Sequence, residues 1–138
     1  MGSCNGKNQS QMSRSKPLAG LRVLDIGTYI AAPYCATILA EFGAEVIKVE
    51  MPKIGDPCRR LGSMTECGDS LVWLSEARNK KSITLDLRKP EGAGLLKQLA
   101  AVSDVLTENF QPGTLERWGV GYEDLEAINA KLVMVRIS

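Results

Sequence analysis

Cations and amides recur in this chain where its apolar runs give out. Arg78, Asn79, Lys80 and Lys81 stand together; Lys48 to Lys53 close a second run, Arg88 and Lys89 a third, and Asn109, Phe110 and Gln111 a fourth, with Arg117 a little further on. Guanidinium forks and ammonium groups gathered in this way suit phosphate or carboxylate ligands, and amides supply directional contacts beside them. Other chemistries are closed off. The chain has no histidine, so every Ser-His or Cys-His nucleophile lacks its base, and its 4 cysteines, Cys4, Cys35, Cys58 and Cys67, form no C-x-x-C pair of the kind that holds zinc. Cys35 reads as helix core filler. The spacing of Cys58 and Cys67 leaves a disulfide between them open, although reduced thiols are the expectation for an intracellular protein. A basic run by itself also reads as a solvated loop, so the elements around it must decide.

Those elements alternate. Residues 21–26 read as a strand, Gly27 and Thr28 as a turn, and Pro33 falls in the first turn of a helix through Ala36, Leu39 and Ala40 that Gly43 ends as a left-handed cap. A strand over 45–50 completes a βαβ unit, which makes the two strands parallel. A long excursion over 51–76, rich in Pro and Gly with an apolar patch at 71–74, is the kind of loop that carries function. The basic run then sits at the mouth of a strand over 82–87, whose Ile83, Leu85 and Leu87 share a face. Pro90 and Glu91 open a helix with Leu95, Leu96, Leu99 and Val102 on one stripe. A strand over 105–108, short helices over 112–118 and 123–129 and a strand over 132–137 follow. The fold class is α/β, a Rossmann-like open, mostly parallel sheet with flanking helices.

Composition sets the outer bounds. With 138 residues, 44% of them hydrophobic and 24% charged, the chain has the make-up of one globular domain. A formal charge of +1 and 5% aromatic residues give no field or stacking surface for nucleic acid, and no apolar run is long enough to cross a bilayer. The polar, acid-free stretch 1–16 reads as a leader or tag ahead of a domain over 17–138. Gly6 stands where a myristoylation signal needs Ser or Thr. The expected location is the cytoplasm, with the mitochondrion as the alternative that a cleaved presequence would bring.

Ligands of open parallel sheets bind beyond the carboxyl ends of the strands, where the recurring cations lie. An NAD-binding unit is one reading, since Glu50 ends the second strand where a ribose-binding acid would stand. It requires G-x-G-x-x-G at the first turn, and the chain has Gly27 alone there.

Taken in order, PLAGLRVLDIGTYIAAPYCATILAEFGAEVIKVE, RNKKSITLDLRKPEG, DVLTENFQPGTLERWG and INAKLVMVRIS resemble the amino-terminal part of class III CoA-transferases over Pro17 to Ser138. That family includes formyl-CoA, carnitine and succinyl-CoA-dependent dicarboxylate transferases. The resemblance implies a coenzyme A pocket built from Ile30 and Ala31, Met51, Leu85, Asp86, Leu87 and Arg88, Asn109, Phe110 and Gln111, and Arg117, with the basic run close by. Arg88 and Arg117 are the expected phosphate partners. Met51 stands where some members carry a cation, which Lys53 would replace. Ile30 stands where formyl-CoA transferases have glutamine, which counts against formyl and oxalate substrates.

The resemblance further implies acyl-CoA and carboxylic acid substrates, no bound prosthetic group, no metal, and an interlocked homodimer of which this chain would be part of a subunit. It implies an aspartate nucleophile lying past Ser138, because Asp25, Asp56, Asp86 and Asp104 do not match its motif; no residue here is expected to be catalytic, and the chain alone is expected to be inactive. A racemase-like member of the same superfamily, which would use a His and Asp pair as acid and base, and a non-catalytic nucleotide-binding module are the alternative readings.

Overall fold

The computed structural model describes residues 16–137; Cys4 and the expected leader, Lys16 apart, lie outside them. Five strands form a single sheet in the order β3-β2-β1-β4-β5, every neighbouring pair parallel: β1 Arg22–Asp25, β2 Glu45–Glu50, β3 Lys80–Thr84, β4 Val105–Glu108 and β5 Val133–Arg136. The crossovers carry α1 Ala31–Glu41, α2 Leu71–Glu76, α3 Pro90–Ala100, α4 Thr114–Arg117 and α5 Tyr122–Glu126. The α/β class and parallel sheet expected from the alternation are present.

Central strands read as continuous apolar runs because both faces are covered. On one face Val23 and Val46 pack with Ala36 and Ala40 of α1 and with Ala44. On the other, Leu24, Ile26 and Leu106 pack with Leu96 of α3, Leu115 of α4 and Leu125 of α5. Gly43 takes the left-handed cap after α1 at φ 108°, and the Gly43 and Ala44 N–H groups donate to Ala40 O and Leu39 O. The excursion over 51–76 is less irregular than its composition suggests. It contains a 3-10 turn, Pro57–Arg60, and α2, whose N-cap Ser70 accepts from Trp73 N–H and donates to Cys58 O at 2.6 Å.

Two sequence expectations need correction. The third strand lies at Lys80–Thr84, not over 82–87, so Lys80 and Lys81 of the basic run are inside the ladder while Arg78 and Asn79 lie in the turn before it. Pairing makes this tolerable: Lys80 Nζ is 2.8 Å from Asp25 Oδ2, Lys81 Nζ 2.6 Å from Glu45 Oε1, and Arg78 Nε donates to Glu41 Oε1 at 2.6 Å. In α3 the buried positions are Gly92, Ala93, Leu96 and Ala100, while Leu95 is 47% exposed and Val102 59%. The small residues bring the helix close to the sheet and rotate the leucine stripe partly outward.

Candidate functional site

A cleft of about 190 Å³ opens at the carboxyl edge of the sheet. The strand order runs outward from β1 in both directions, so the reversal point of the topology lies at β1 and β4, and the cleft gathers the segments that follow β1, β2, β3 and β4. Ile26 and Thr28 come from the first, Met51 and Ile54 to Pro57 from the second, Leu85, Leu87 and Arg88 from the third, and Phe110 from the fourth. Val49, Glu50 and Trp118 complete the lining.

Backbone proximity shapes its first segment. A Cβ on Gly27 would stand 2.7 Å from the Ala32 Cβ and 2.9 Å from Asn109 Oδ1, so glycine is needed for close approach rather than to cradle a pyrophosphate. Asn109 then clips the turn: its Oδ1 accepts from Thr28 N–H at 2.8 Å while its Nδ2 donates to Thr28 O at 2.9 Å. Glu108 holds the next residue, accepting from Phe110 N–H at 2.7 Å and from Arg136 Nε at 2.6 Å. The Phe110 ring meets Trp118 edge to face with centroids 5.2 Å apart.

Two buried ionic groups stand behind the cleft. Lys48, 1% exposed, donates to Gly27 O and lies 3.0 Å from Asp56 Oδ2 and 3.6 Å from Asp25 Oδ1. The Asp56 contact is Coulombic rather than a well-angled hydrogen bond. Lys80 Nζ reaches Asp25 Oδ2 and Pro33 O, and burial pushes its ammonium below the ordinary lysine range despite Asp25. Glu50 accepts from Arg59 in two bonds, from Ser82 Oγ and from Asp56 N–H. Burial alone would raise this carboxyl; the hydrogen bonds outweigh it and hold it at about 2. With its oxygens engaged in this way, Glu50 is not presented to a ribose, which with the missing glycines removes the dinucleotide reading.

Among the residues expected from the sequence, Met51, Leu85, Leu87, Arg88 and Phe110 come together in the lining. Asp86 lies behind it and grips Arg88 at 2.8 and 2.9 Å; the Arg88 bonds hold its carboxyl at about 2. Asn109 acts on Thr28 rather than lining the cleft. Ile30 and Ala31 are exposed at the start of α1, Gln111 is exposed, and Arg117 is exposed with Nη2 2.9 Å from Thr114 Oγ1; none of these four is in the lining. The basic run stays outside it too. Lys80 faces the ion pairs behind the cleft and Arg78 the end of α1, because buried or nearby carboxylates claim both cations.

Ile54 to Pro57 and Trp118 are not among the pocket residues expected from the sequence, and Thr28 enters there only as part of the turn after the first strand. Their signals were present: Gly55, Asp56 and Pro57 stand early in the excursion, with four residues between them and the end of the second strand, and Trp118 adjoins Arg117. The arrangement offers an apolar floor and a guanidinium at the rim, suited to a ligand with a flat or apolar body and an anionic group. Among the described residues no group of three or more His, Cys, Asp or Glu could hold a metal, and no helix is long and apolar enough to cross a membrane. Cys35, Cys58 and Cys67 are free thiols, so the disulfide left open by spacing is absent.

Comparison with known proteins is consistent with this geometry. Residues 18–138 match the model of CoA-transferase family III. The chain is 60% identical over 122 residues to the succinyl-CoA–L-malate CoA-transferase beta subunit of Chloroflexus aurantiacus, covering 88% of this chain and 30% of that protein. It is 53% identical over 134 residues to the alpha subunit from the same organism, covering 96% and 30%. A solved structure of a CAIB/BAIF family protein from Brucella suis superposes with a TM-score of 0.83 at 38% identity, over 91% of this chain and 34% of that one. The chain thus spans about 30% of the length of the two curated relatives.

Proposed function

Because the chain belongs to CoA-transferase family III, we propose that its protein moves coenzyme A from an acyl-CoA donor to a carboxylic acid acceptor, and that the cleft is the coenzyme A pocket. One observation carries this: Met51, Leu85, Leu87, Arg88 and Phe110, drawn from separated sequence blocks, converge on one cleft at the reversal point of the sheet. The apolar floor suits the adenine and pantetheine portions, and Arg88 suits a phosphate. Arg117, Gln111, Ile30 and Ala31 then contact parts of the cofactor that extend beyond the lining.

The reaction we assign is covalent catalysis by a carboxylate. An aspartate oxygen attacks the thioester carbon and the C–S bond breaks, giving a mixed anhydride and CoA thiolate. The thiolate attacks the aspartyl carbon, releasing the donor acid and leaving an enzyme thioester. The acceptor carboxylate attacks that thioester, and the freed thiolate then takes the acceptor acyl group, regenerating the aspartate. Every aspartate among the described residues is already engaged: Asp25 and Asp56 with Lys48, Asp69 with Arg59, Asp86 with Arg88, Asp104 with Arg22 N–H and Asp124 with Gly121 N–H. We therefore place the nucleophile outside residues 16–137.

Identities of 60% and 53% to the malate transferase subunits support succinyl-CoA as donor and a small dicarboxylate as acceptor. Exposed Tyr34, Ile38 and Phe42 form an apolar stripe along α1 that supports a homodimer, and a cytoplasmic enzyme fits this chemistry. The test is incubation of the protein with succinyl-CoA and L-malate. Equal amounts of succinate and malyl-CoA are expected. Hydrolysis of succinyl-CoA without a new thioester would contradict the proposal.

A further inference from the structure

The buried ammonium of Lys48 is used by nothing in the reaction above, yet it joins two of the segments that line the cleft. It donates to Gly27 O in the turn after β1 and pairs by charge with Asp56 Oδ2, 3.0 Å away in the excursion after β2. Asp56 in turn accepts through Oδ1 from Tyr29 N–H at 3.2 Å and Cys58 N–H at 2.8 Å. Thr28 of the first segment and Ile54 to Pro57 of the second are therefore tied through one side chain. Tyr29 sits in the left-handed region at φ 61°, a conformation a non-glycine residue keeps only where its surroundings over-determine it.

Neutralising Asp25 does not account for Lys48. Lys80 already meets Asp25 at 2.8 Å, against 3.6 Å for Lys48. The ion-paired groups around Lys48 are Asp25, Asp56 and Lys80, which with Lys48 itself have side chains no more than 2% exposed, and the acidic Glu76 lines a small cavity shared with Lys48 and Lys80. A strand interior would be packed more easily by leucine, since a buried cation must be fully compensated. We propose that Lys48 is a positioning residue for the cleft: it locks the Gly27 to Tyr29 turn to the Asp56 loop so that both present their residues to the ligand in fixed register. The proposal deepens the coenzyme A reading and rests on it for the identity of the ligand.

The test compares wild-type protein with Lys48→Met, which keeps the length of the side chain without the charge, and with Lys48→Met/Asp56→Asn, which also removes the orphaned carboxylate while keeping an Oδ1 acceptor for Tyr29 and Cys58. Amide hydrogen exchange at Thr28, Tyr29 and Cys58 is read against Leu24 and Val46 in the sheet, and CoA affinity is read by calorimetry. Both variants are expected to exchange faster at the loop amides with the sheet amides unchanged, and to bind CoA about tenfold more weakly, since Gly27 O loses a charged donor. Unchanged loop exchange overturns the proposal, as does faster exchange with wild-type affinity. If Lys48→Met does not fold, the double variant decides by the same criteria. If wild-type protein binds no CoA, the functional reading falls, and loop exchange alone decides whether Lys48 positions the cleft.

Discussion

Arg59 holds Glu50 in a bidentate grip, Nε to Oε2 at 2.7 Å and Nη2 to Oε1 at 2.8 Å. The same guanidinium lies 3.9 Å above the Trp73 ring centroid and reaches Asp69 at 2.9 Å. One side chain thus pins the carboxyl end of β2 to α2 and to the loop before it, and gives a 26-residue excursion the rigidity that a cleft wall needs.

Acid should undo this arrangement. Glu50 is held at about 2 in the folded protein against 4.5 for a free glutamate, so its contribution to stability is complete above 4.5 and is lost as pH falls through 2. Urea unfolding across that window should show wild-type stability falling toward that of Glu50→Gln, with the variant less stable above the window and its curve flatter within it. Parallel curves would mean that Glu50 titrates alike in both states.

Leu96 and Leu95 are adjacent in α3 but face opposite surroundings. Leu96→Ala should cost about 2 to 5 kcal/mol, the range for a buried leucine, whereas Leu95→Ala, at a position 47% exposed, should cost less than about 1 kcal/mol. Equal losses would restore the stripe inferred from periodicity.

Gly92→Ala should destabilise the protein although alanine is the better helix former. The added Cβ would sit 2.2 Å from Asp86 O, a backbone atom that cannot yield without shifting the segment that carries Leu85, Leu87 and Arg88. A lower melting temperature accompanied by weaker CoA binding is the expected pair of results; higher stability would show that α3 is free to move away from the sheet.

The contrast between these positions shows what the sequence carried. Nearly continuous apolar positions such as Val46, Ile47 and Val49 and cap signals such as Gly43 are local, so the strand and helix order and the parallel sheet could be read directly. The third strand was misplaced because Lys80 and Lys81 look like loop residues until Asp25 and Glu45, distant in sequence, are known to neutralise them. In the site, the positions after each strand followed from the topology rule, and five of those named from the resemblance converge on the cleft. Thr28 was legible only as a turn residue and Trp118 not at all, since their place in the cleft depends on Asn109 and Phe110 across the sheet. The outward turn of Leu95 depends on small residues whose close approach is set in three dimensions.

Arg88→Ala should weaken CoA binding by about tenfold, the loss of a charge-assisted hydrogen bond. Arg117→Ala should cost a similar factor, with the Arg117 fork leaving Thr114 to meet a phosphate, and the difference should shrink against dephospho-CoA if the missing group is its partner. Calorimetric affinities equal to wild type for both variants would remove the anion-binding role of this edge.

Whether the cleft after β1, β2, β3 and β4 receives coenzyme A is read by a CoA titration followed through backbone amide chemical shifts. Saturable changes are expected at Thr28, Met51, Leu85, Leu87 and Phe110, with α5 and the Ile38 to Phe42 end of α1 silent. Absence of saturable binding, or shifts that map to another surface and leave these five amides unmoved, would contradict this placement of coenzyme A.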